Sequence, residues 1–271
     1  MTSPVQDLDH IAISVADLEA EAANYAALFG TPPAFQGQQS GTEMAVFQTG
    51  NVAVHLLESE KPRGLEGICF TVDKLARLQR RLGQVGIAAH ESISLGQPNA
   101  EEHTLAVVAE PATTRNIQLS FIEKSSQGGR AGGSPGGGLD HIVIASQNAE
   151  STAFLLGSQL GLDLRMDMSR RDWNARLMFF RCGDLIVEVF ERLENDASDG
   201  AKAESTAAPP EDSFYGLTWR VDDADASHKR LQESGFDVSE VRQGRKPGSR
   251  VLTVRNRTAG VATLLIELPK A

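Results

Sequence analysis

Apolar residues along this chain follow two rhythms, an alternation of period two over short runs and a three- or four-residue spacing between those runs. In LDHIAISVADLEAEAANYAALFG, residues 8–30, Ile11, Ile13 and Val15 mark a strand, and a helix follows that ends at Gly30. GICFTVDKLARLQRRLGQVGI, residues 67–87, repeats the plan. There Leu75, Leu78, Leu82 and Val85 fall at helical spacing, and Gly86 stands where a helix C-terminus takes glycine. Runs rich in β-branched and aromatic residues come after each helix: MAVFQTG, VAVHLLE and IQLSFIE early in the chain, ARLMFFRCG, LIVEVFE and VATLLIEL later. The unit predicted throughout is one strand, one helix, then about three strands.

The unit recurs. Leu8, Asp9 and His10 return as Leu139, Asp140 and His141, and Gly30 returns as Gly161, all at an offset of 131 residues. Val72, Leu82 and Gly86 return as Val221, Leu231 and Gly235 at an offset of 149. Units one and three therefore match, as do units two and four, which marks a duplicated architecture. SSQGGRAGGSPGGG, residues 125–138, reads as a flexible linker between two halves, 1–124 and 139–271. NDASDGAKAESTAAPPED, residues 195–212, has almost no large apolar residue and reads as a mobile connection between units three and four.

Composition narrows the function. The 271 residues are 41% hydrophobic with a formal charge of −10, enough for two cores and unfavourable for nucleic acid or an anionic membrane as partner. No apolar run approaches the ~20 residues of a membrane span, and the N-terminus lacks the basic start and apolar core of a signal peptide, so a cytoplasmic protein is expected. Cys69 and Cys182 both lie in strand-like runs, as reduced structural thiols do. There is no GxSxG, GxxxxGK[ST], CxxC or HExxH motif.

Four βαβββ units opening on LDHI resemble the vicinal oxygen chelate superfamily, which includes glyoxalase I, methylmalonyl-CoA epimerase, extradiol dioxygenases and bleomycin-resistance proteins. The resemblance covers nearly the whole chain except 125–138 and 195–212. It implies an α+β fold in which consecutive units pair into two cupped, barrel-like mixed sheets with helices outside. It also implies that a divalent metal, where one is used, is held by first-strand and last-strand residues of each unit. Here those positions are His10 and His55 in unit one, and His141 and Glu188 in unit three. In units two and four the first-strand positions are Gly67 and Gly216, which offer no ligand. Each cup then supplies two donors where the superfamily uses three or four.

Strand alternation turns His141 and Glu188 into the second cup, together with Thr218 and Arg220. The first cup is faced by small residues, Ala12, Ser14, Gly67, Cys69 and Thr71, so the second cup is expected to carry function. A local excess of positive charge lies around it, in SRRDWNAR with Arg170, Arg171, Trp173 and Arg176 and in RQGRKPGSR with Arg242, Arg245, Lys246 and Arg250, which suits an anionic ligand. The resulting expectation is a glyoxalase-like isomerase or lyase acting on a small oxygenated anion. Arg220, Thr218, Arg250 and Trp173 bind the substrate; His141 and Glu188 hold Zn, Fe, Ni or Mn, or Glu188 acts as general base without metal. The weaker second metal site is His10 with His55. The rivals are an extradiol dioxygenase and a metal-free binding or resistance protein. The expected partner is a small molecule, not nucleic acid or membrane, with a homodimer left open.

Overall fold

In the computed structural model the described residues are 4–94, 104–123, 137–193 and 211–269. The N-terminal half runs β1 (Val5–Val15), α1 (Leu18–Phe29), β2 (Phe35–Gln39), β3 (Thr42–Gln48), β4 (Ala53–Glu58), β5 (Gly64–Val72), α2 (Leu75–Gln84), β6 (Ala89–Ser94), β7 (Thr104–Ala109) and β8 (Gln118–Glu123). The C-terminal half repeats it as β9 (Leu139–Ser146), α3 (Ala149–Ala153), β10 (Asp163–Arg170), β11 (Ala175–Cys182), β12 (Leu185–Arg192), β13 (Ser213–Arg220), α4 (Ala224–Glu233), β14 (Arg242–Gln243), β15 (Arg250–Val254) and β16 (Ala262–Glu267). Each half is one eight-stranded mixed sheet. The orders are β2-β3-β4-β1-β5-β8-β7-β6 and β10-β11-β12-β9-β13-β16-β15-β14. Consecutive units thus share a sheet, joined through antiparallel β1–β5 and β9–β13 pairs, and the sheets are not closed barrels.

The registers of units one and three coincide. His10 faces Ala53 and Ala12 faces His55; His141 faces Ile186 and Val143 faces Glu188. The helices also start by a shared device. Asp17, Asn148 and Asp223 each accept from a first-turn N–H, and Glu123, Glu191 and Glu267, from the last strands of three units, accept from the first helical N–H of α2, α3 and α4. One helix departs from the expected regularity. After α3 the chain continues as a π-helical segment, Phe154–Gln159, with Leu160 N–H donating to Leu155 C=O. Consecutive Leu155 and Leu156 of this segment are both buried, at 2% and 1% exposure.

The helix-facing sides of both sheets join one continuous apolar cluster. Phe29 of α1 meets Trp219 of β13 edge-on at 4.9 Å, Tyr25 donates to Thr258 C=O, and Arg81 of α2 donates to Gln159 and Ser158 carbonyls. The firmest polar joint is Asn51, in the β3–β4 turn. Its side chain accepts from Leu139 N–H at 2.7 Å, donates to Leu139 C=O at 2.8 Å and donates to Asp184 at 3.1 Å.

The segments 125–138 and 195–212 lie outside the described residues except at their C-terminal ends, and those ends are fixed. Gly138 C=O accepts from Arg220 N–H, and the Asp212 carboxylate is fully buried between the Arg115 fork, at 2.8 and 3.0 Å, and Thr152 Oγ1. A buried aspartate in a polar run is retained because it gains an arginine and a hydroxyl. Cys69 and Cys182 are buried thiols in β5 and β11, as the strand context implied.

Asn51→Ala removes both partners of Leu139 and is expected to cost about 3 kcal/mol, from two to three lost hydrogen bonds and an orphaned buried N–H. Asn51→Asp should cost more, since it sets a second carboxylate against Asp184. Urea midpoints of the two variants against the parent chain check both.

Candidate functional site

Each sheet has a second face, turned away from the helices, and the two halves use it differently. In the N-terminal half Met44 and Val46 are fully buried and pack with Ala53, Phe35 and Leu57 as a separate apolar cluster beside His55. Its polar floor is closed too, with His10 at 9% and His55 at 4% exposure. His10 and His55 stack with ring centroids 4.0 Å apart and planes only 9° from parallel. Imidazole lone pairs lie in the ring plane, so two parallel rings cannot aim at one ion, and the expected second metal site does not fit this geometry. The pair is instead electrostatically divided. Burial opposes charge on His10, but the Cys69 sulfur and the Asp9 carboxylate outweigh burial and raise its pKa; burial and the neighbouring His10 push His55 well down.

The second cup is open. Glu188, Phe179 and Phe190 are only part-buried along β11 and β12, and on β10 Leu164 is 43% and Met166 50% exposed. His141, Val143 and Ala145 line the floor from β9, with the hydroxyl-bearing Thr218 directly across from His141 on β13, at 3% exposure. His141 Nε2 lies 3.5 Å from Glu188 Oε2, with side-chain exposures of 19% and 13%.

Asp140 sets the chemistry of His141. Its Oδ2 is 2.9 Å from His141 Nδ1 and its Oδ1 accepts from Arg220 Nε at 2.9 Å. Burial works against its charge, yet those two hydrogen bonds hold its pKa down at about 2. An ionised carboxylate only accepts, so Nδ1 carries the proton and Nε2 is the nitrogen presented to the cup. Glu188 moves the other way. Burial raises its pKa, and its electrostatic interactions with His141 and Arg245 offset that only in part.

A divalent metal can be tested against this set. Donors 2.0–2.2 Å from a tetrahedral ion stand about 3.4 Å apart, and the His141–Glu188 spacing has that value within a tenth of an ångström. The other corners are missing. By register the matching positions in unit four are Gly216 and Leu264. A Cβ at 216 would collide with the Ala262 carbonyl oxygen, so the backbone there has no room for a ligand side chain. No group of three His, Cys, Asp or Glu residues among the described residues could hold an ion. A catalytic zinc site takes three protein ligands; two do not fit a resident metal.

Two of the expected substrate-binding arginines point elsewhere. Arg220 is consumed at the end of β13, where Asp140 Oδ1, Asp184 C=O and Asp184 Oδ2 take its donors at 2.9, 2.7 and 3.4 Å. Alternation gave its side correctly but not the acidic turn that waits there. Arg250 is bound bidentately to Asp225 of α4 at 2.7 Å and lies 3.7 Å from Glu267, so it belongs to the helix side of β15. Trp173 does stand at the rim, in a 3-10 turn between β10 and β11. Sequence reasoning gave Asp140 no role and did not single out Arg245. The first could have been read from its recurrence with Asp9 beside each histidine; the second was one cation among several in its turn.

Fold and floor together define a class. The family described as Glyoxalase/Bleomycin resistance protein/Dioxygenase superfamily matches residues 140–253. Solved structures extend the likeness over both halves. A Mn(II)-bound glyoxalase from Novosphingobium aromaticivorans is 15% identical with a TM-score of 0.70, covering 98% of this chain and 83% of that one. The 2,3-dioxygenase LapB from Pseudomonas sp. KL28 is 13% identical with a TM-score of 0.69, covering 100% and 94%. A 2,2',3-trihydroxybiphenyl 1,2-dioxygenase from Sphingomonas wittichii strain RW1 is 16% identical with a TM-score of 0.69, covering 97% and 91%. At these identities the likeness is one of fold. No curated protein sequence matches the chain. Over its whole length the chain shares the fold of these glyoxalase and dioxygenase structures, and its second half matches the family model in sequence. Among the described residues no helix is long and apolar enough to cross a membrane.

The raised pKa of Glu188 has a stability consequence with a definite sign. Below its unfolded-state pKa the group is protonated in both states and costs nothing; as pH rises through the folded value, charge must form in a buried place and stability is lost. Glu188→Gln should therefore melt higher than the parent protein at pH 8, with the gap closing below about pH 4. Melting curves across that range read it directly.

Proposed function

We propose that the second cup is the active site of a glyoxalase-like isomerase or lyase that moves a proton at a carbon next to a carbonyl in a small oxygenated molecule. The observation that supports this most is Glu188, a part-buried carboxylate with a raised pKa, 3.5 Å from a histidine whose tautomer is fixed from behind. A base of that kind is suited to removing a weakly acidic proton near neutral pH. Glu188 takes the C–H proton, and the electron pair moves onto the carbonyl oxygen. His141 Nε2 passes a proton between Glu188 and that oxygen, while Asp140 stabilises the imidazolium this forms. Where the α-carbon bears a hydroxyl, return of the proton to the former carbonyl carbon with loss of the hydroxyl proton completes an isomerisation; where the carbon beyond the α-carbon bears a leaving group, re-formation of the carbonyl with expulsion of that group completes an elimination. Thr218 supplies a hydroxyl at the floor, and Phe179 and Phe190 supply an apolar wall that limits the water around the base.

The donor set carries no step through a metal. It also disfavours a dioxygenase built on a first-strand histidine in unit four, because Gly216 leaves no room there. The same two-donor floor is what a binding or resistance protein would show, and the test separates the two.

Small 2-oxo and 2-hydroxy carbonyl compounds in D₂O, followed by proton NMR, should show enzyme-dependent loss of α-proton signal that persists in EDTA. Glu188→Gln should slow this exchange by about 10²–10⁴-fold. The parent rate should fall as pH drops through a pKa above the ordinary carboxylate range. Exchange abolished by EDTA would transfer the chemistry to a metal, and binding with no exchange in any compound would leave a sequestering protein.

A further inference from the structure

The second sheet is bounded by β10 at one edge and β14 at the other. The turns beside these two edges meet across the mouth of the cup. Trp173 stands in the turn after β10, and Arg245 in the turn after β14 lays its guanidinium over the Trp173 ring at 4.1 Å. Arg170 also lies over that ring, at 4.5 Å, but it is already forked onto Asp172 at 3.0 Å on both arms. Arg245 has no such commitment. Among the described residues no carboxylate lies within ion-pair distance of it and no hydrogen bond uses its five donors. By contrast Arg170, Arg176, Arg220 and Arg250 are each bound to one or two acidic groups.

An uncommitted guanidinium held by an aromatic face presents its donor fork in a fixed plane, an arrangement suited to a carboxylate. Its field reaches the floor of the cup, since Arg245 is near enough to Glu188 to offset part of the burial that raises Glu188's pKa. It is likewise felt by Asp172, which Arg170 already neutralises, so the stack keeps one positive charge in excess at the mouth.

We propose that Arg245, braced on Trp173, is the residue that recognises substrate, and that the site takes small 2-oxo or 2-hydroxy monocarboxylates. The carboxylate docks on the guanidinium fork at the mouth, and the rest of the molecule, with its oxygen-bearing carbon, reaches down toward Glu188 and His141. This deepens the proton-transfer reading and depends on it only for which atoms reach the floor.

The test uses pyruvate as probe with the full chain, followed by tryptophan fluorescence, and the Trp173→Phe variant to show which indole reports. Pyruvate should bind the parent protein in roughly the millimolar range, as a single arginine fork without much buried area allows. Arg245→Gln should weaken binding at least tenfold, with an unchanged melting temperature because the turn is exposed. Arg245→Lys should recover only part of it, since a point charge lacks the fork. Arg250→Gln, on the helix side, should bind as the parent does. Glu188→Gln should bind pyruvate at least as tightly as the parent, because it removes a like charge while leaving the fork. The neutral analogue 2,3-butanedione should bind weakly and without regard to residue 245. Pyruvate affinity that survives Arg245→Gln, butanedione binding equal to pyruvate, or no pyruvate binding at all overturns the proposal. If Arg245→Gln loses pyruvate while Glu188→Gln leaves deuterium exchange intact, the recognition proposal stands and the base assignment falls; the reverse pair of results does the opposite.

Discussion

Much of this structure hangs on one extra residue in the first strand of units one and three. Leu8 pairs with Phe70 and His10 with Cys69; Leu139 pairs with Trp219 and His141 with Thr218. In each case Asp9 or Asp140 has no partner of its own, which is a β-bulge. Strict alternation would put Leu139 and His141 on one face. The bulge breaks that parity, so that Leu139, Ile142 and Ile144 are all buried on the helix side while His141 turns to the cup. It also brings the aspartate beside the ring of its own neighbour, where an unbulged strand would point the two side chains apart. Core packing, histidine orientation and tautomer thus follow from a single insertion in the ladder.

The same device has different outcomes in the two halves because the surroundings differ. In the first, the bulged Asp9–His10 pair lies under Met44 and Val46 and against a second imidazole, and the result is a closed polar floor. In the second, the facing position holds Glu188 instead of His55, and the outer strand β10 leaves its apolar residues exposed. One copy is then free to serve mainly as structure. Its Asn51 grips both backbone groups of Leu139, the residue that starts the bulge of the other copy, and it also holds Asp184, which in turn holds Arg220 and through it Asp140. A hydrogen-bonded chain therefore runs from the first half to His141. Such a chain carries coupling only so far as its members share geometry, and removing Asn51 is the direct way to measure it.

The charge arrangement around the second cup follows a similar logic. This acidic protein places Arg170, Arg176, Arg220, Arg245 and Arg250 around one sheet, and three kinds of neighbour absorb four of the five: turn carboxylates, helix first turns and bulge aspartates. What is left over at the mouth is Arg245, whose value to a ligand lies in having been left unpaired. An arginine already forked onto a carboxylate would have to break that pairing before it could bind substrate, and the exchange would gain little.

Sequence alone determined the repeat, the βαβββ order, the pairing of strands with helices and the inward direction of His141 and Glu188. These are properties of local period: apolar spacing of two or near 3.6 is written residue by residue, and a duplicated unit writes it twice. Tertiary structure decided which polar groups were already spent. That Arg220 meets Asp184, that Arg250 reaches Asp225, and that His10 lies flat on His55 depends on residues brought together from distant strands and turns. Strand parity gives a side chain's face but not its neighbour across a turn. The bulge lies between the two cases. Its residues were visible as a repeated Asp-His, but its effect on parity exists only when β9 has β13 to be out of step with, and that pairing is a fact of the folded sheet.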